Sequence, residues 1–222
     1  VLFESRGDLA DNSYPLYEYL VSINAPYKYV WVVEDASKYK NSRNVKYVSQ
    51  GKTSFAAIWY FAKAEYCFYT HNYCGIDGKK GQKRIYLTHG FSYKDTKGLF
   101  FSPDFHTDIV CLSENHKRLE EYINPGSAQK VRILGYPRTD VLVGGNYNLP
   151  QEFSAEISNY SKLFVWLPTY RSHKGVAHAD CGQDRYDLLS PESLQTINSA
   201  LVASNSVMVV KFHPAQQLSK IN

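Results

Sequence analysis

The 222-residue sequence lacks most of the features that assign a protein quickly. Its four cysteines, at positions 67, 74, 111 and 181, show no disulfide-framework spacing. Two of them lie inside strand-like runs, so a reduced, cytosolic compartment is expected. Cys67, His71 and Cys74 form C-x3-H-x2-C, but no second ligand pair lies nearby and a zinc site is not expected. No apolar stretch approaches the roughly 18 residues that a membrane-spanning helix needs. Val1-Leu2-Phe3 is followed at once by Glu4 and Arg6, which does not read as a signal peptide. Internal repeats, low-complexity segments and a D-x-D pair are also missing, and no catalytic metal is expected.

What is present is a globular composition, 44% hydrophobic and 15% aromatic, with nineteen tyrosines. A formal charge of +4 makes the surface mildly basic, which suits an anionic small molecule, an anionic polymer or an acidic membrane face. Short β-branched or aromatic runs alternate with helical patterns. Val1 to Glu4 reads as the end of a strand, and Pro15 opens a helix with Leu16, Tyr19, Leu20 and Ile23 at helical spacing. Tyr29 to Val33 is apolar on both faces, as in a buried parallel strand. Further strands are expected at 45–48, 66–69, 84–88, 108–112, 131–134, 163–167 and 207–210. Helices are expected after Thr53 or Ser54, after Ser113 and after Ser190.

This alternation predicts α/β architecture with two doubly wound, Rossmann-like parallel sheets. The region from Val143 to Gln151 is the plausible linker, giving an N-terminal domain over 1–145 and a C-terminal one over 146–222. The second has only two strands, so the chain reads as part of something longer.

In open parallel sheets, ligands bind beyond the carboxyl ends of the strands. Four expected strands end in polar or turn-forming groups: Thr88-His89-Gly90, Gly135-Tyr136-Pro137-Arg138, Pro168-Thr169-Tyr170-Arg171 and Lys211-Phe212-His213-Pro214. Two histidines and three cations at such positions supply a proton acceptor and charge neutralisation, the inventory that phosphoryl-type transfer needs.

The ordered motifs L-F-E-S…D-N…L-Y-E-Y-L, H-G-x-x-x-K, G-Y-P-R-x-D, P-T-Y-R and K-F-H-P resemble the CDP-glycerol glycerophosphotransferase family, builders of teichoic acids and related capsule polymers. The resemblance spans Val1 to Pro214. It implies a two-domain fold of the glycosyltransferase B type, acceptor on the N-terminal domain and nucleotide on the C-terminal one. It implies His89 as the base that deprotonates the acceptor hydroxyl and His213 as the second catalytic histidine, at the donor phosphates. Gly90, Phe91, Ser92, Arg138, Pro168, Thr169 and Lys211 become substrate-binding positions. Thr88 stands where the family usually has Trp, Phe91-Ser92 where it has Thr-Pro, and Lys211 where it has Arg, which keeps the charge without the guanidinium fork.

The reaction so implied moves glycerol phosphate, or a related polyol phosphate, from a CDP-activated donor to a polymer hydroxyl with release of CMP. No cofactor is implied beyond the CDP-activated donor substrate, and no nucleic-acid partner. A lipid-linked acceptor and a peripheral place on the inner face of a bacterial membrane follow from the same resemblance. The alternatives are a sugar transferase of the same fold using a nucleotide-sugar, and a non-catalytic polymer-binding fragment.

Overall fold

A computed structural model describes residues 1–50, 54–71, 78–90, 105–144, 149–168 and 190–212. The chain forms two compact units, Val1–Tyr147 and Asn148–Asn222.

The first unit is built on seven strands, β1 (Leu2–Glu4), β2 (Tyr29–Val33), β3 (Val45–Ser49), β4 (Tyr66–Tyr69), β5 (Lys83–Tyr86), β6 (Asp108–Cys111) and β7 (Val131–Ile133). They make one sheet in the order β3-β2-β1-β4-β5-β6-β7, with every pairing parallel. The short β1 is central, with Leu2 in register with both Val30 and Cys67.

Successive side chains point to opposite faces, so each strand feeds two cores. Phe3, Tyr29, Trp31 and Val33 face one way and pack against α1 (Ser13–Ser22). Leu2, Val32, Cys67, Tyr69, Tyr86, Ile109, Cys111 and Val131 face the other way, with Ala57 and Phe61 of α2 (Phe55–Lys63). Right-handed crossovers require this division, because the chain moves outward from β1 to β2 and back across the sheet from β3 to β4. The direction in which strands are added therefore reverses between β1 and β4, where crevices open in such sheets.

Local chemistry explains most element starts. Ser54 and Ser113 accept backbone N–H groups at the starts of α2 and α3 (Glu114–Ile123). Tyr17 and Leu16 turn α1 onto the sheet, whereas Tyr19 and Ile23, expected in the same stripe, are more than half exposed. The edge-on contact of the Tyr17 ring with Phe3 at 5.8 Å sets that rotation. A further helix, α4 (Pro137–Gly144), occupies what reads in sequence as a turn and runs into the expected linker. Proline is well suited to a first helical turn, so Gly135-Tyr136-Pro137 launches a helix instead of only turning the chain.

In the second unit, α5 (Gln151–Ile157) precedes β8 (Lys162–Trp166), and α6 (Pro191–Ala203), capped by Ser190, precedes β9 (Ser206–Val210). The two strands pair in parallel, Lys162 opposite Ser206 through Trp166 opposite Val210. Leu163, Phe164 and Val165 are exposed.

Candidate active site

Three strand tips meet at the crevice of the first unit. At the β1 tip, Glu4 is buried, and its carboxylate accepts the backbone N–H groups of Thr70 and His71 at 3.3 and 3.2 Å. This joins β1 to the end of β4. Burial dominates its ionisation and pushes the carboxyl up to about 7, against the lowering effect of those two hydrogen bonds. The loop that follows bends through left-handed backbone at Gly7, Asp8, Leu9 and Asp11. Asp8 ties it outward, accepting the Glu34 N–H at 2.9 Å and the Tyr39 hydroxyl at 3.1 Å.

Asn12 stands fully buried at the start of α1. It does not cap its own helix. Its amide instead donates to the carbonyls of Leu87 and Thr88 at 3.2 and 2.9 Å, and its oxygen accepts the Arg138 N–H at 3.3 Å. One side chain thus links the β1 loop, the β5 tip and the first turn of α4.

The β5 tip holds the most informative departure from expectation. Ladder pairing ends at Tyr86 rather than Thr88, although Leu87 still donates to the Tyr69 carbonyl. Thr88 then adopts φ +55°, a conformation a β-branched residue rarely takes. That single turn breaks the in–out alternation. Thr88 swings to the α1 face, where its hydroxyl donates to the buried Tyr136 hydroxyl. His89 swings to the opposite face, beside Tyr86 and over β4. With strict alternation His89 would have shared the face of Leu87.

There the His89 Nδ1 lies 3.3 Å from the Thr70 carbonyl and 3.4 Å from the Tyr86 hydroxyl. A carbonyl only accepts, so the Thr70 contact fits the tautomer with its proton on Nδ1 and its lone pair on Nε2, in which the Tyr86 hydroxyl also accepts. The residue is exposed, and its ring stacks on His71 at 4.6 Å. Gly90 follows at φ +151°, where a side chain is strained. Arg138 reaches over the same segment, with one guanidinium nitrogen 3.1 Å from the His89 carbonyl and 2.6 Å from the Asp11 carboxylate.

Below this edge, Tyr136 lies over His116, whose Nδ1 accepts the Leu112 N–H at 3.2 Å. Burial raises the Tyr136 phenol to about 12, so it stays protonated as a structural hydroxyl. Beside it, an apolar groove of about 520 Å³ runs between α1, α4 and strands β4 to β7, with Phe68, Leu87, Val110 and Leu134 among its walls.

Of the expected site residues, His89, Gly90 and Arg138 come together. In the second unit, Pro168 is buried just past β8, and Lys211 is exposed just past β9, its N–H bonded to the Trp166 carbonyl at 3.0 Å. Both follow the carboxyl ends of paired strands. Phe91, Ser92, Thr169 and His213 lie outside the described residues. Glu4 and Asn12 sit in the L-F-E-S and D-N motifs, yet nothing around them in sequence indicates what they hold. His71 showed only as the centre of C-x3-H-x2-C. Its ring is turned to His89, while Cys67 is sealed in the α2-side core and Cys74 is outside the described residues.

Solved structures of the wall teichoic acid polymerase TagF share this fold. One histidine-to-alanine variant superposes with a TM-score of 0.74 at 18% identity, over 96% of this chain and 56% of that one. TagF itself gives 0.72 at 18% identity, over 98% and 58%. A histidine-to-asparagine variant soaked with CDPG gives the same values as TagF itself. The α/β class of glycosyltransferase B type is thereby borne out, and the chain spans somewhat more than half the length of TagF. Among proteins of curated function, none matches the sequence. Residues 1–221 match the family described as CDP-glycerol:poly(glycerophosphate) glycerophosphotransferase, and the chain belongs to that family.

Proposed function

We propose that this protein transfers glycerol phosphate from CDP-glycerol to a terminal hydroxyl of a poly(glycerol phosphate)-type acceptor, with His89 as general base. The acceptor proton moves to His89 Nε2 as its oxygen attacks the phosphorus bearing glycerol. The bond from that phosphorus to the bridging oxygen breaks, and CMP leaves with the electron pair. The observation that carries this reading is the contact of His89 Nδ1 with the Thr70 carbonyl. With Nδ1–H on that carbonyl, Nε2 is left as the basic nitrogen of an exposed ring.

Arg138 is held in place by Asp11 and by the carbonyl of His89 itself, so any charge it offers to the donor is fixed relative to the base. Gly90, Phe91 and Ser92 would line the acceptor side, while Pro168, Thr169, Lys211 and the second histidine, His213, would contact the donor. No metal or cofactor is called for in this scheme. A lipid-linked acceptor and docking on an anionic inner leaflet belong to the same proposal. Among the described residues no helix is long and apolar enough to cross a membrane.

The test is CMP release from CDP-glycerol by the full-length protein. His89→Ala should lower kcat by about 10³-fold with the fold intact by circular dichroism. Near-normal turnover would remove His89 from the reaction. Release of a nucleotide from UDP-sugars but not from CDP-glycerol would replace the donor assignment.

A further inference from the structure

The β4 tip brings a second imidazole against the first. The His71 ring lies 4.6 Å from that of His89, with 21° between their planes. It is anchored twice, by its backbone N–H on the Glu4 carboxylate and by its Nδ1 at 3.1 Å from the Thr70 hydroxyl. Thr70 in turn presents the carbonyl that engages His89 Nδ1. One dipeptide, Thr70-His71, therefore meets the His89 ring both at its edge and on its face.

We propose that His71 is a positioning residue for His89: its neutral ring is the platform on which the base lies flat. The platform keeps Nδ1 on the Thr70 carbonyl and Nε2 toward the acceptor, and its face stabilises the imidazolium that forms when Nε2 takes the proton. This role rests on the phosphotransferase reading above. A neutral aromatic face attracts a cation, whereas a second imidazolium at the same distance would repel it. Burial, then the neighbouring His89 and Arg6, push the His71 imidazole down to about 4, so it stays neutral near pH 7. Among the described residues, the other ionisable groups around the pair come from four elements. Glu4 lies on β1, Arg6 and Asp11 on the loop after it, Tyr86 on β5, and Arg138 on α4, paired with Asp11.

The experiment uses full-length protein labelled with ¹⁵N at histidine, with CDP-glycerol as the turnover probe. In His71→Ala the His89 ring is expected to titrate about 0.5 pH unit lower, the equivalent of losing one weak cation–ring contact. Its resonances should move from a single Nδ1–H tautomer to a mixture. The kcat for CMP release should fall about tenfold, with KM for CDP-glycerol little changed. His71→Phe keeps the stack and should restore titration, tautomer and kcat together. An unaltered His89 titration in His71→Ala overturns the proposal, as does a His71→Phe protein that behaves like His71→Ala. Should His71→Ala not fold, His71→Leu takes its place, with bulk but no aromatic face. The titration is read without turnover, so it separates the two ideas. Wild-type protein that releases no CMP, yet whose His89 titration follows residue 71, removes the phosphotransferase reading and leaves the coupling.

Discussion

The strand tips of the two units are held in different ways. In the first unit, β1, β4 and β5 are tied by buried side chains: Glu4 on the β4 amides, Asn12 on the β5 carbonyls, Thr88 on Tyr136. In the second, the tips are tied by the Lys211 N–H on the Trp166 carbonyl, and the Lys211 side chain is exposed. A base must sit within hydrogen-bond reach of one proton, so its surroundings have to be rigid before substrate arrives. Cations that hold phosphates act over a longer range and tolerate a looser frame.

The contrast extends to the cores, where the largest effect is expected. Phe3 is completely buried, stacked on Trp31 at 5.1 Å and on Phe68 at 5.4 Å. Phe3→Ala should cost about 3–5 kcal/mol, read by urea unfolding. Phe164 on β8 is half exposed, and Phe164→Ala in the 222-residue chain should cost under about 1 kcal/mol. Equal losses would show that the two sheets are equally consolidated and erase the comparison.

How far the sequence reveals this arrangement depends on the range of the interaction. Runs such as Tyr29–Val33 and caps such as Ser54, Ser113 and Ser190 are local signals, and they mark the elements that form. The stripe of α1 is less legible, because tyrosines occur on both of its faces and packing against Phe3 chooses between them. The helix α4 is hidden by a Gly-Tyr-Pro that also suits a turn. At the site, His89, Gly90 and Arg138 stand out because polar residues at strand ends are visible one segment at a time. Asn12 is not legible in that way. Its partners are 75, 76 and 126 residues away, and nothing near it in sequence says that it will be buried.

Asn12 is therefore the sharpest probe of the tied tips. Asn12→Ala leaves two buried carbonyls and one N–H without their partner, a loss of about 2–4 kcal/mol. It also frees the strained Thr88 peptide, so kcat for CMP release should fall more than the loss of folded protein explains. Asn12→Asp should be worse than Asn12→Ala, because a carboxylate would face two carbonyl oxygens. An Asn12→Ala protein with wild-type stability and turnover would mean that the β5 tip holds its shape unaided.

A smaller effect, but one with a definite pH signature, belongs to Glu4. Its carboxyl is raised in the folded protein to about 7 from an ordinary value of 4.5. Between those values the folded state binds more protons than the unfolded one, so stability contributed by this group falls as pH rises through that window. The expected fall is about 1–3 kcal/mol between pH 5 and pH 8. Glu4→Gln keeps an oxygen to accept the Thr70 and His71 amides but cannot ionise. It should therefore match the wild type near pH 5 and exceed it near pH 8, measured by urea unfolding at each pH. The sign is the useful part, because a carboxylate kept for stability would show the opposite slope. A buried acid that weakens the fold as it ionises, while its charge strengthens two hydrogen bonds at the β4 tip, exchanges stability for a firmer seat under His71 and His89. If the decline between pH 5 and pH 8 persists in Glu4→Gln, the titrating group lies elsewhere and the β1–β4 tie is an ordinary hydrogen bond.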